Sequence, residues 1–313
     1  MAKFLCITLN PAIDFTVGLD TLNIGNVNRQ QFAQTHAAGK GLNVAQVLRD
    51  LGHEVMVSGF LGRTNAAVFQ AHFAEQGFAD HFVYVDGETR QNVKIAEACG
   101  RMTDINGKGF SVCEADKAAL TEKAVVLAAE ADFTVVSGSL PQQFNAGDFQ
   151  TLLGRLKTAN PRLAVDTSGE ALKAALACKP FLIKPNTDEL HEISDLPADT
   201  AAQQAALLAQ WGGGIEHAVV SMGSDGLNWL HGGICLHASA AEVEVKSTVG
   251  AGDTLTAGML HGLASGFTPE ETLRTAAALA ANAVAQIGFR IPNPQRLNEL
   301  KQSITIQTER LVP

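Results

Sequence analysis

The chain has 313 residues, 46% of them hydrophobic, with 23 basic against 32 acidic side chains and a formal net charge of −9. That is enough apolar material for a large α/β core, and the acidic balance without a long basic cluster excludes nucleic acid and anionic membrane surfaces as partners. Five scattered cysteines (Cys6, Cys99, Cys113, Cys178, Cys235) never form a C-x-x-C pair, so neither a zinc cluster nor a disulfide framework is expected. With no apolar run of transmembrane length and an N-terminus that goes straight into a strand pattern, a cytoplasmic protein is expected.

Phe4 to Leu9 reads as a first strand, stopped by Asn10-Pro11 in a turn that leads to Asp14. Residues 13–35 alternate in short polar and apolar runs, which predicts a small β excursion. Val44, Val47, Leu48 and Leu51 then share one helical face, closed by Gly52, and Val55 to Phe60 is the next strand. A helix follows over Asn65 to Gln76, with Phe69 and Phe73 four apart. Residues 82–110 return to short alternations, so the two excursions are expected to pair into one flap or lid on a single 1–313 domain. From Ala115 onward helices alternate with strands at Phe133–Val136, Leu163–Val165, Phe181–Ile183, Ala218–Val220 and Leu227–Leu230. Runs buried on both faces and separated by helices predict a mainly parallel sheet covered on both sides, with ligands at the carboxyl ends of its strands. Thr268, Pro269 and Glu271 predict a capping box ahead of a helix over Leu273 to Ile287.

The most informative stretch is Ser247-Thr248-Val249-Gly250-Ala251-Gly252-Asp253-Thr254. Ala241 to Val245 before it alternates like a strand, and Leu255 to Leu260 after it reads as a buried helix. A glycine turn at a helix N-terminus would gather the amides of Gly250, Ala251 and Gly252 at the positive end of the dipole, an anion site. Asp253 inside it would repel a phosphate unless a metal ion or a shared proton lies between them, the arrangement that a general base beside a phosphoryl group in transit needs. The alternative is a helix first-turn acid after a tight turn. Further polar clusters follow predicted strands at Asn10 to Asp14, Ser137 to Pro141, Asp166 to Gly169, Lys184-Pro185-Asn186 with Glu189, and Ser221 to Gly226.

Gly39-Lys40-Gly41 fails as a P-loop, because Gly41 stands where Ser or Thr would hold magnesium, and the dinucleotide fingerprint fails at Val44. No second histidine follows His191-Glu192 at zinc spacing, and no G-x-S-x-G elbow occurs.

Thr8 to Asp14, Ala38 to Ala45, Lys184-Pro185-Asn186 with Glu189, and Thr248 to Thr254 together, in this order along the whole chain, resemble the ribokinase-like (PfkB) sugar kinases. The resemblance implies an α/β ribokinase-like fold with a small β-sheet lid, and ATP-dependent phosphorylation of a sugar phosphate with Mg2+. The branch it most resembles phosphorylates fructose 1-phosphate at the C6 hydroxyl, with tagatose 6-phosphate or fructose 6-phosphate as alternative acceptors. It makes Asp253 the base and the amides of Gly250, Ala251 and Gly252 the anion hole. Lys184, Asn186, Ser221, Gly223, Gly226, Thr248 and Asn282 would hold the nucleotide, and Asn186 with Glu189 the magnesium, through water. Asp14, Gly39 and Asn43 would hold sugar hydroxyls, and Lys40, Arg90, Arg29, Lys94 and Ser139 the substrate phosphate. For Asn186 and Glu189 the other reading is a helix N-cap with a first-turn acid; for Arg90 it is a solvated lid charge. One departure is Ala38, where relatives often carry glycine. The resemblance also implies a homodimer through the lid. A sugar-phosphate-binding regulator without turnover is the reading from outside enzymology.

Overall fold

The computed structural model describes residues 1–211, 213–286 and 290–311. In chain order its strands are β1 (Lys3–Thr8), β2 (Ala12–Leu19), β3 (Phe32–Ala38), β4 (Glu54–Gly62), β5 (Ala79–Asp80), β6 (Val83–Val85), β7 (Arg90–Glu97), β8 (Met102–Asn106), β9 (Phe133–Ser137), β10 (Leu163–Asp166), β11 (Leu182–Ile183), β12 (His217–Ser221), β13 (Leu227–His231), β14 (Ile234–Ala238) and β15 (Ile306–Arg310). The helices are α1 (Lys40–Asp50), α2 (Ala67–Gln76), α3 (Glu114–Glu130), α4 (Ala146–Ala159), α5 (Gly169–Cys178), α6 (Thr187–Ile193), α7 (Ala201–Gln210), α8 (Ala251–Ser265), α9 (Pro269–Val284) and α10 (Pro294–Ser303).

The main sheet runs β15-β14-β13-β12-β11-β10-β9-β1-β4-β5, and β6 pairs with β4. From β12 through β5 every pairing is parallel, while β13, β14 and β15 are antiparallel. Because β1 passes to β4 on one side and lies against β9 on the other, the chain reverses its direction of travel at the β1–β9 junction. A crevice opens there at the carboxyl ends, where an open α/β sheet binds its ligands. Two apolar cores fill the faces. One lies under α3, α4, α5, α6 and α7 around Leu5, Ile7, Phe149 and Val165; the other lies under α1, α2, α8, α9 and α10 around Phe4, Leu48, Trp229 and Met259. Burial of both faces is why the parallel strands read as unbroken apolar runs.

A separate sheet, β3-β2-β7-β8, stands beside this body. It joins residues of both predicted excursions, with β2 parallel to β7 from Ala12↔Arg90 to Leu19↔Glu97. The second excursion is divided: Val83–Val85 adds to β4 in the main sheet, and only the part from Arg90 reaches the small one.

Two expectations fail. Ala241 to Val245 forms no strand, because the amides of Lys246 and Ser247 both donate to Val284 O, at 2.9 and 3.2 Å. The segment is satisfied by the spare carbonyl end of α9, and its alternation records only Val243 packing inward while Val245 faces solvent. The helix expected over Leu273 to Ile287 ends at Val284, and Ile287 lies outside the described residues. Its Thr268 cap is present, accepting from the Glu271 amide, but the Glu271 carboxylate turns instead to Lys301 at 2.7 Å.

Close helix packing fixes the position of α8. A Cβ at Gly258 would lie 2.7 Å from Ala276 Cα, and one at Gly262 would lie 2.6 Å from the Thr272 side chain, so the two glycines let α9 approach to backbone contact.

Candidate active site

The N-terminus of α8 opens into the crevice. Gly250 has φ 80° and ψ 0°, the third position of a type II turn, which glycine takes without strain. Its turn closes through Ala251 N donating to Thr248 O at 3.4 Å. The amide of Ala251 is therefore spent, a difference from the expected anion hole. Among the described residues, the amides of Gly250, Gly252 and Asp253 donate to no protein acceptor, and these are the open end of the helix.

Asp253 is 4% exposed. Asn43, on the first turns of α1, donates from Nδ2 to Asp253 Oδ2 at 2.7 Å. Burial foremost, then the charge of Asp166, pushes the Asp253 carboxyl up to about 6, against the opposing pull of Lys40, Asn43 and Lys184.

Asp166, at the end of β10, is the hub of the remaining charges. Its Oδ1 lies 3.4 Å from Lys184 Nζ and 3.6 Å from Lys40 Nζ, and its side chain is fully buried. Lys184 Nζ in turn sits where a Cβ on Gly252 would be 3.5 Å away, directly beside the open helix end. Burial pulls the Lys40 ammonium down, but Asp166, Asp253 and Glu189 outweigh it, so its pKa is raised. Glu189 is pushed up by burial, with Lys184 opposing. Sequence reading located Asp166 only as part of a polar turn and gave it no role; its signal was an acid closing a buried strand, immediately before Thr167-Ser168-Gly169.

Asn186 and Glu189 form the capping box of α6: Glu189 N donates to Asn186 Oδ1 at 2.7 Å, and Asn186 N to Glu189 Oε2 at 2.9 Å. The helix-cap reading is thus realised, and it leaves Glu189 Oε1 without a bonded partner among the described residues. Beside it, Ser221 N donates to Pro185 O, which joins the Ser221–Gly226 loop to the Lys184–Asn186 strand end. That loop requires Gly226, where a Cβ would lie 2.0 Å from Ala238 O. Thr248 contributes its carbonyl to the turn. Asn282 is occupied, donating from Nδ2 to Arg290 O at 3.2 Å.

On the other side of Asp253, Arg90 reaches from β7 over the first turn, donating to Asn10 O at 3.1 Å and Pro11 O at 3.3 Å. Its Nη2 also lies 3.5 Å from Ser139 Oγ, to which Asn10 Nδ2 donates at 3.2 Å. Asp14 accepts from Asn92 Nδ2 at 3.0 Å and pairs with Lys94 at 3.5 Å, and Lys94 also reaches Asp104. Gly39 packs against Thr8 at the start of α1, where a Cβ would be 2.7 Å from Thr8 Cγ2. Ala38 pairs with Ala12 as the last residue of β3, outside the left-handed region, so its methyl group costs nothing there. Arg29 stands apart: it is exposed on the β2–β3 loop and makes no hydrogen bond or ion pair among the described residues.

Asn10 Oδ1, Asn92 Oδ1 and Thr254 Oγ1 are buried without a hydrogen-bond partner, as are side-chain atoms of Thr8, Gln46, Thr134 and Thr272. Those of Asn10 and Asn92, beside Arg90 and Asp14, are atoms a polar ligand would complete. Among the described residues, no three His, Cys, Asp or Glu side chains converge as a metal cage, and no helix is long and apolar enough to cross a membrane.

Known proteins resemble this chain along its whole length. It is 43% identical over 307 residues to the 1-phosphofructokinase of Vibrio cholerae, covering 97% of this chain and 96% of that one. It is 40% identical to the 1-phosphofructokinase of Escherichia coli, covering 96% and 97%. The crystal structure of phosphofructokinase-2 from Escherichia coli in complex with potassium superposes with a TM-score of 0.87 at 25% identity, covering 96% of this chain and 99% of that one. Residues 4–296 match the family described as pfkB family carbohydrate kinase, and this chain belongs to that family.

Proposed function

We propose that the chain transfers the γ-phosphoryl group of ATP to the C6 hydroxyl of fructose 1-phosphate, giving fructose 1,6-bisphosphate. The observation that carries the reading is the buried Asp253 carboxylate at the open N-terminus of α8, in a chain 43% identical to a 1-phosphofructokinase over almost its full length.

Asp253 Oδ1 is the free carboxylate oxygen, since Oδ2 holds Asn43, and it takes the proton of the C6 hydroxyl as that oxygen attacks. A carboxyl raised to about 6 is ionised at neutral pH yet basic enough to accept a proton. The open amides of Gly250, Gly252 and Asp253, with Lys184 Nζ beside them, face the phosphoryl oxygens in transit. No covalent nucleophile is needed, because phosphoryl transfer depends on positioning and charge stabilisation. Asp166 holds Lys184 and Lys40 in place beside Asp253.

The acids present fit a magnesium ion carried by the triphosphate, since Mg2+ keeps several waters and needs few protein ligands. Glu189 Oε1 is placed to meet its water shell, while Asn186 serves mainly by holding Glu189. When bound, the ion neutralises charge building between the β- and γ-phosphates. Ser221, Gly223, Gly226, Thr248 and Asn282 border the nucleotide groove. On the acceptor side Asp14, Gly39 and Asn43 receive sugar hydroxyls, and Arg90 with Ser139 receives the 1-phosphate. Lys94 acts by orienting Asp14.

The chain is read as one kinase domain with β2, β3, β7 and β8 as its lid, closing over the sugar to exclude water. Exposed apolar side chains stand on both faces of the lid sheet, Phe32 and Met102 on the face of Asp14 and Lys94 and Ile105 on the opposite one, with Ile24 and Val27 on the β2–β3 loop. Apolar exposure on a small sheet fits a homodimer in which two lids pair, and Arg29 on the same loop would gain a role only in that assembly.

Steady-state kcat/KM for fructose 1-phosphate, fructose 6-phosphate and tagatose 6-phosphate on one preparation tests the substrate. The value is expected to be highest for fructose 1-phosphate; a higher value for either 6-phosphate would overturn the assignment.

A further inference from the structure

Across the main sheet from α8 lies a half-open cavity of about 420 Å³, within the range of small-molecule sites. It sits where β13, β14 and β15 run past the starts of α6 and α7. Leu227, Trp229 and Leu236 point from these strands into the core under α8, so the alternate residues Asn228, Cys235 and His237 face the cavity. Asn228 and Cys235 are 4% and 2% exposed. A sheet face this sequestered ordinarily carries apolar side chains against a helix; here it is polar and lines open space.

Its hydrogen bonds run in one direction. Gln204 Nε2 donates to Ala198 O at 2.9 Å, which turns Gln204 Oε1 to accept from Asn228 Nδ2 at 3.0 Å. Asn228 Oδ1 is then the atom 2.8 Å from His237 Nδ1, so that nitrogen must carry the proton. Nδ1 of His237 is thereby the donor, and Nε2 is the ring atom left without a protein partner among the described residues. Asp199, Asp225 and Glu309 add three carboxylates to the lining, Asp199 with His191 at 3.5 Å, and no lysine or arginine is among the described lining residues. The starts of α6 and α7 would favour an anion, but both are already capped by their own side chains, Asn186 with Glu189 and Thr200 with Gln203. The carboxylates therefore set the sign of the site.

We propose that this cavity is a second ligand site, for a small organic cation carrying several N–H donors. Acceptors surround it, the unpaired buried thiol of Cys235 lies in its wall, and Met222 and Asp225 connect it to the glycine loop at the end of β12. The binding claim does not depend on the proposed kinase reaction.

Isothermal titration of the full chain with spermidine, at 0.15 M salt, tests it. One saturable site is expected, with a submillimolar Kd that weakens by about tenfold, or about 1.4 kcal/mol, in Glu309→Gln and again in His237→Phe. Glu309 is exposed on the edge strand, so its replacement should fold, and thermal unfolding of each variant checks this. Magnesium chloride at matched ionic strength should not displace spermidine from the wild-type chain, because it brings charge without N–H donors. Absence of saturable binding, an unchanged Kd in both folded variants, or displacement by magnesium would each overturn the proposal.

Discussion

Asn43 and Asp253, 210 residues apart in sequence, meet through a 2.7 Å hydrogen bond between the first turns of α1 and α8. The bond uses one carboxylate oxygen and aims the other into the crevice. Hydrogen bonds to charged groups contribute about 1.5–3 kcal/mol, so Asn43→Ala should lower kcat by about 10- to 100-fold. With Asn43 proposed to receive a sugar hydroxyl as well, KM for the sugar phosphate should rise too, while KM for ATP should stay unchanged. Stopped-time assays varying each substrate separate these effects, and an unchanged kcat would show that Asp253 needs no such aim.

The acid limb of kcat/KM should lie near the raised value of about 6 for Asp253, with activity falling below it as the base is protonated. Asp166→Asn removes a neighbouring negative charge and should move that limb to lower pH. A limb set by the substrate phosphate, whose own second ionisation is at about 6, would not move. The same shift has a stability sign. A carboxyl raised in the folded state costs the native state stability above its folded pKa and returns it as pH falls toward the ordinary carboxylate range. Asp253→Asn should therefore raise Tm at pH 8, measured by calorimetry.

At the far ends of the same two helices, His53 Nε2 and His261 Nδ1 are 2.8 Å apart, and Ala2 N donates to His53 Nδ1. Burial first, then the partner ring and Lys301, lowers His261 to about 4, and burial lowers His53 as well. In the unfolded chain both take protons near pH 6.5. Stability is therefore lost as pH falls from about 6.5 toward 4, and His261→Leu should flatten the Tm-against-pH slope over that window. Equal slopes for the two proteins would remove the pair from the acid response.

Ile105→Asp places a charge on the lid face turned away from Asp14, where Ile105 is 57% exposed. Sedimentation velocity at micromolar concentration should show the wild-type chain at twice the monomer mass and the variant at the monomer mass. A wild-type monomer would dismiss pairing through the lid.

The parallel body was legible in the sequence because strands buried on both faces read as short apolar runs, and because caps such as Thr268-Pro269 state where helices begin. The alternation at Ala241 to Val245 misled because extended backbone has the same period whether its amides go to a strand or to the spare carbonyl of Val284. Polar residues in turns were read by type, but their partners were not. Nothing local marks Asp166 as the acid that binds both Lys40 and Lys184, since those contacts depend on three separate chain segments meeting. Ala251 looked like a third open amide until the turn closed on Thr248, and Asn186 with Glu189 forms the helix cap that their residue types and spacing alone allowed.

The central claim is that Asp253 is the base. Single-turnover phosphorylation of fructose 1-phosphate by Asp253→Asn, with substrate Kd values measured on the same preparation, tests it most directly. The variant is expected to fold, to bind ATP and fructose 1-phosphate at near wild-type affinity and to transfer the phosphoryl group about 10²- to 10⁴-fold more slowly. A transfer rate close to wild type would contradict it.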